Sequence, residues 1–317
     1  MENLWIYLGF ALGVLIIVKG GDYFVDAASW IAEVSGIPKF IVGATIVSMA
    51  TTLPEIIVSS MAAYSGSVDM AIGNSVGSVI ANTGLILAIS IMFMPMAFKR
   101  SLLAFKGMHL IIVIIALWLL SLSGKLTTTS GLILLVLFIA FIVENVYSAK
   151  RTEGNIEEDR PSHSKRDITV NVLKFIVGAL GIVIGSRLLV NNGCSIAELL
   201  GVPENIVGLT AVAIGTSLPE LVTTINAIVR KEFSLSAGNI IGANIIDTAL
   251  ILPICAFISK GSIPVSAQNL RLDMPLSLIL TIITIVPALI RGKFSRWQGV
   301  LALCIYLAYL VYICVLM

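Results

Sequence analysis

GATIVSMATTLPEIIVSSMAAYSGSVDMAIGNSVGSVIANTGLIL fills residues 43–87, and GLTAVAIGTSLPELVTTINAIVRKEFSLSAGNIIGANIIDTALIL fills residues 208–252. The two stretches align without a gap at an offset of 165 (208 − 43). Pro54 meets Pro219, Glu55 meets Glu220, Asn74 meets Asn239, and Asn82 meets Asp247. Upstream, Gly36 and Pro38 meet Gly201 and Pro203, so the duplication extends beyond the quoted blocks. The chain is a tandem of two related halves, and its best-matched stretches are polar ones.

Outside these blocks the sequence is strongly apolar. Of 317 residues, 58% are hydrophobic and 12% charged, against about 25% charged in an ordinary soluble domain. That balance excludes a soluble protein. The 26 glycines suit membrane helices that pack closely. Cys194, Cys255, Cys304 and Cys314 have neither zinc spacing nor a paired framework and read as small hydrophobes. The first apolar stretch lacks a basic flank and a cleavage site, so it reads as a retained span.

About 20 residues are needed to cross a bilayer. Stretches of that kind lie near 4–28, 38–65, 68–95, 103–121 and 128–148, then near 168–190, 204–229, 233–258, 269–290 and 297–316. The expected fold is therefore an all-α polytopic membrane protein with ten transmembrane helices. Residues 1–149 form the first repeat of five, 168–317 the second, and KRTEGNIEEDRPSHSKRD (150–167) a short charged linker. Five spans is an odd number, so the second half enters the membrane in the opposite sense, giving inverted-topology repeats. With the N-terminus outside, fifteen lysines and arginines fall on the linker side, against Lys125, Lys260 and Arg271 on the other. The positive-inside rule then puts the linker in the cytoplasm and both termini outside a cell membrane. Inverted repeats are typical of secondary transporters that bind substrate at the midplane.

Glu55, Glu220 and Asp247 lie mid-span, where a carboxylate costs roughly 2.5–3.5 kcal/mol on insertion scales. The repeated parts of their spans, 43–65, 208–229 and 233–252, offer no lysine, arginine or histidine as a partner. Ser48, Thr52 and Glu55 follow i, i+4, i+7 and share a helix face; Ala213, Ser217 and Glu220 repeat it. Pro54 cannot donate to the carbonyl of Ala50, nor Pro219 to that of Gly215, so each helix is expected to be kinked or broken beside its acid. Freed carbonyls in a membrane must be satisfied again or line a cavity. Asn74, Ser78 and Asn82 run along one stripe of the next span, and Asn239, Ala243 and Asp247 along its copy. Carboxylates with carbonyl, amide and hydroxyl oxygens suit Ca²⁺ or Mg²⁺, and Na⁺ uses similar donors.

Other chemistries are excluded. The histidines are His109 and His163, far from a zinc pattern. No Walker A loop is present, so a second ion's gradient is the expected energy source. No nucleophile–base pair points to an enzyme, and no cofactor or nucleic-acid partner is expected. The expected partners are transported cations and the lipid bilayer; one chain carries both half-sites, so a monomer suffices.

The paired ATTLPE…GNSVGSVIAN and GTSLPE…GNIIGANIID elements resemble the cation/calcium exchanger superfamily, in particular compact prokaryotic sodium/calcium exchangers, over nearly the whole chain. The resemblance implies Na⁺/Ca²⁺ antiport by alternating access. It implies Glu55 and Glu220 as main Ca²⁺ ligands with carbonyls of Thr51 and Thr216. It places Thr52, Ser78, Asn82, Ser217 and Asp247 at Na⁺ sites with carbonyls of Ser48 and Ala213. Asn74 and Asn239 complete the candidate set. The chain departs from the pattern at Ala50 and Thr52, and at Ala243, where a sodium-ligating serine is usual. H⁺/Ca²⁺ or K⁺-dependent exchange is the alternative.

Overall fold

The computed structural model describes residues 2–93, 100–153, 164–200, 204–259 and 261–316, with side chains described for 4–93, 103–150, 164, 166–196, 199–200, 215–259 and 261–313. Helix α1 (Glu2–Ser35) stops at Gly36, whose left-handed φ of 68° ends it. Helices α2 (Lys39–Thr51) and α3 (Leu53–Tyr64) follow, bent by 47° at Thr52. Then come α4 (Val68–Phe93), α5 (Arg100–Ser121), strand β1 (Lys125–Thr127) and α6 (Thr128–Glu153). The second half runs α7 (Lys165–Leu199), α8 (Glu204–Val229), α9 (Phe233–Ile258), β2 (Ser262–Pro264), α10 (Asn269–Arg291) and α11 (Arg296–Leu316).

Among the described residues, eight helices are long and apolar enough to cross a membrane, or nine if α2 and α3 form one bent span. The fold is all-α and polytopic, apart from a three-residue antiparallel ladder of β1 and β2 that pairs Leu126 with Ile263. Helices α1 and α7 exceed the expected 4–28 and 168–190. In α1 the continuation beyond residue 28 carries Glu33, which pairs with Lys39. Most of the 150–167 linker lies outside the described residues.

Lipid tails are as apolar as leucine, so helix association here rests on close packing and hydrogen bonds rather than on escape from water. Helices α4 and α9 form the centre, with 72% and 83% of their most apolar windows buried. Ile72, Val76 and Ile80 of α4 and Ile240, Ile241 and Ile245 of α9 share one buried cluster with Leu110 and Ile114 of α5. Gly238 and Gly242 let α2 approach α9 at backbone distance: a Cβ on Gly242 would sit 2.5 Å from the Ala44 carbonyl and from Ser48 Oγ. Helices α1 and α7 pack antiparallel, mainly on each other, through Gly13, Gly20, Gly178 and Gly185. Only 22% and 17% of their windows are buried, so they flank the core.

Two polar side chains inside the bundle show local pairing. Lys106, counted above among the linker-side charges, is fully buried within α5 and bonded to Glu144 at 2.8 Å. Pro287 removes the donor for the Ile283 carbonyl, and Gln298 Nε2 replaces it at 3.2 Å while also bonding Thr284 O at 2.7 Å.

Candidate cation site

The two proline–acid copies fold differently. In the first, Thr52 leaves helical geometry (φ −82°, ψ 1°), and Pro54 and Glu55 start the first turn of α3. Glu55 thus sits at a helix N-terminus, where backbone N–H groups favour an anion. In the second, Pro219 lies inside an α8 that continues from Glu204 to Val229. A break is therefore present beside Glu55, whereas the helix through Glu220 is unbroken. One proline deletes one hydrogen bond, and neighbouring helices can brace the rest of the turn.

Side chains from the two copies interlock by reciprocal hydrogen bonds. Thr51 Oγ1 donates to Asn239 Oδ1 at 3.2 Å, and the repeat-related Thr216 Oγ1 donates to Asn74 Oδ1, also at 3.2 Å. Asn74 Nδ2 donates to Ser59 Oγ at 2.9 Å. Across the centre, Thr52 Oγ1 donates to Glu220 Oε1 at 3.2 Å. Asn74 and Asn239 therefore use their amide oxygens to hold the opposite copy. We predict that Thr51→Val and Thr216→Val each cost about 1–2 kcal/mol by leaving a buried amide oxygen unpaired. Thermal unfolding in detergent checks this; two unchanged midpoints would contradict it.

Glu55 and Glu220 are each 1% exposed and Asp247 is fully buried. Glu55 Oε2, Glu220 Oε2 and both Asp247 oxygens have no hydrogen-bond partner among the described residues, nor do Asn82 Oδ1 and Ser217 Oγ. None of the three acids forms an ion pair among the described residues. No three His, Cys, Asp or Glu side chains there converge as a compact metal cluster, so the donors on offer mix carboxylate with amide and hydroxyl oxygen. Buried, unmatched oxygens of this kind favour a hard cation.

Asn82 and Asp247 each begin a π-helical turn, Asn82–Leu87 and Asp247–Ile251. Such turns occur frequently at functional sites. Ser48 on α2, Ser78 on α4, and Thr216 and Ser217 on α8 are buried. Ala243 is fully buried where the first copy has Ser78. Ala213 lies within α8, its side chain outside the described ones. Three bracing residues were missed in the sequence. Ser59 holds Asn74, and Asn244 Nδ2 donates to Thr83 Oγ1 at 2.8 Å. Ser59 stands one turn beyond Glu55 on the same face, a signal that the sequence did carry.

The model of the family "Sodium/calcium exchanger protein" matches residues 5–147 and 170–315. The sodium/calcium exchanger MaX1 of Methanosarcina acetivorans is 29% identical, covering 96% of this chain and 97% of its own length. The inner membrane protein YrbG of Escherichia coli K12 is 34% identical over 91% and 89%. Among solved structures, the sodium-calcium exchanger NCX_Mj soaked with Na⁺ and Sr²⁺ superimposes with a TM-score of 0.86 at 27% identity, over 99% of this chain and all of that one. With both halves matched and the fold shared end to end, this chain belongs to the sodium/calcium exchanger protein family.

Proposed function

We propose that the chain is a secondary antiporter that exchanges Na⁺ for Ca²⁺ across a cell membrane by alternating access. The observation that carries this reading is the burial of Glu55, Glu220 and Asp247 with unmatched oxygens, in two copies of one motif whose side chains interlock. Glu55 and Glu220, with carbonyls of Thr51 and Thr216, hold Ca²⁺. Thr52, Ser78, Asn82, Ser217 and Asp247, with carbonyls of Ser48 and Ala213, hold Na⁺. Asn74 and Asn239 set the spacing. Cation binding offsets carboxylate repulsion in a low dielectric, so the loaded cage switches more readily than the empty one.

The architecture we infer is ten spans in two inverted repeats, residues 1–149 and 168–317, with the 150–167 linker cytoplasmic and both termini outside. Contacts at the two ends support the inversion. Lys39 bonds Glu232, joining the turn after α1 to the turn after α8. Helix α8 is continuous, so its start at Glu204 lies at the opposite end from the turn after α1. The β1–β2 ladder likewise brings together the links that follow α5 and α9.

The conformation is one-sided, which supports alternating access. At the linker end, α2 is closed on buried Gly238 and Gly242. At the other end the repeat-related Gly73 is exposed, and no described residue lies within 4 Å of a Cβ on Gly73 or Gly77. We read this as the state open away from the linker.

A second reading, proton-coupled cation antiport, is favoured by Ala243, which has no hydroxyl to offer Na⁺ where the first copy has Ser78. Reconstituted vesicles with Na⁺, K⁺ and pH gradients varied independently separate the two. Ca²⁺ uptake should follow the Na⁺ gradient at equal pH; uptake that follows only the pH gradient without Na⁺ would overturn the first reading.

A further inference from the structure

A set of charges outside the cation site ties α1 to the core at one end only. Asp22 and Asp26 stand one helical turn apart on α1. Arg230, at the end of α8, bonds both: its Nη2 lies 3.1 Å from Asp22 Oδ1, and its Nη1 donates to Asp26 Oδ1. Further along α1, Glu33 lies 3.1 Å from Lys39 Nζ, which also donates to Glu232 Oε1 at 2.6 Å. Three acids of α1 are thus joined, through Lys39 and the turn 230–232, to the linker end of the core.

The repeat offers an internal control. The turn 230–232 runs Arg–Lys–Glu through Lys231 at φ 62°, a left-handed conformation uncommon for a residue other than glycine. Its copy, 65–67, runs Ser–Gly–Ser through Gly66 at φ 85°. The turn shape is the same, but the flanking charges are replaced by hydroxyls. On α7, the copies of Asp22 and Asp26 are Arg187 and Asn191. Arg187 is exposed and forms no ion pair among the described residues. The packing is lopsided in the same sense. Helix α1 rests on α8, where Gly21 abuts Val222 and Asn226, whereas α7 touches α2 and α3 only slightly.

We propose that Arg230, Glu232 and Lys39 with Asp22, Asp26 and Glu33 form a one-sided electrostatic latch that biases the protein toward the state closed at the linker end. The proposal rests on the alternating-access reading above. If the two repeats exchange conformations, α1 takes toward α8 the slight contact that α7 now has with α2 and α3, and Asp22 and Asp26 leave Arg230. A single exposed ion pair contributes little. Here one guanidinium serves two acids, and losing it leaves two carboxylates repelling at i, i+4. A ligand or contact present in one state only shifts the balance by its differential interaction.

The test substitutes the residue of the other repeat, Arg230→Ser, and reads two quantities. The first is the apparent Ca²⁺ affinity at each face of oriented vesicles. The second is amide hydrogen exchange across 40–48 and 235–242 in detergent without transported ions. The latch predicts that affinity at the linker face rises relative to the opposite face by about tenfold. It also predicts faster exchange in both segments and restoration of both readouts by the charge swap Asp26→Arg with Arg230→Asp. Unchanged ratio and exchange, or an equal loss of affinity at both faces, would overturn it. If Arg230→Ser does not fold, Glu232→Gln, which loosens the other arm, must give the same signs. Amide exchange needs no transport, so the latch is judged even if the coupling ion is not Na⁺.

Discussion

Glu55→Gln lowers Na⁺-driven Ca²⁺ uptake by two orders of magnitude or more, and Glu220→Gln does the same. Each substitution keeps side-chain volume and removes one formal negative charge at a side chain that is 1% exposed. Removing one partner of a buried charge interaction costs about 3–5 kcal/mol, which is on the order of 10²–10³-fold in binding. The loss should be similar at the two positions, because each copy supplies one acid. Their backbones differ: Glu55 starts a helix after a 47° bend, whereas Glu220 sits inside a continuous one. A large loss at Glu220 with near wild-type uptake at Glu55 would mean that the first copy is a scaffold only. Flux of ⁴⁵Ca²⁺ into vesicles measures both.

The second large effect separates folding from transport with glycines. Gly238→Ala and Gly242→Ala each add a methyl group against backbone that is already in contact. Overpacking of this kind costs about 1–3 kcal/mol, or very roughly 2–12 °C in unfolding midpoint for a chain of this class. Gly73→Ala and Gly77→Ala meet no described atom within 4 Å in this conformation, so their midpoints should stay near wild type. Their transport should nevertheless fall by about tenfold or more, because in the opposite state these positions must close as Gly238 and Gly242 do now. A methyl there costs the closed state alone. Wild-type exchange rates in both variants would count against the symmetric switch.

Much of this was legible in the sequence. The all-α polytopic fold follows from apolar length, and the offset of 165 pairs Glu55 with Glu220 without any coordinates. The differing backbones of the two copies were not legible. ATTLPE and GTSLPE carry the same proline and acid, so the break at Thr52 and the continuity at Ser217 come from tertiary surroundings. Glycine backing by α9 fixes α2 at one end, a restraint that spacing along one helix does not encode. The role of Asn74 and Asn239 was likewise hidden. Helical periodicity puts them on the stripe with Ser78, Asn82 and Asp247, but only the packing shows their oxygens taken by Thr216 and Thr51. Lys106 shows the limit of charge counting, because a lysine near a helix end can turn inward when Glu144 awaits it.

The central claim is that one cage, shared by the two repeats, takes Ca²⁺ and Na⁺ in competition. Calorimetric titration of Ca²⁺ into the purified protein at stepped Na⁺ concentrations tests it most directly. The account predicts one Ca²⁺ per chain, an apparent affinity that falls steeply as Na⁺ rises, and no binding in the Glu55→Gln, Glu220→Gln double variant. Ca²⁺ binding that ignores Na⁺, or that survives in the double variant, would contradict it.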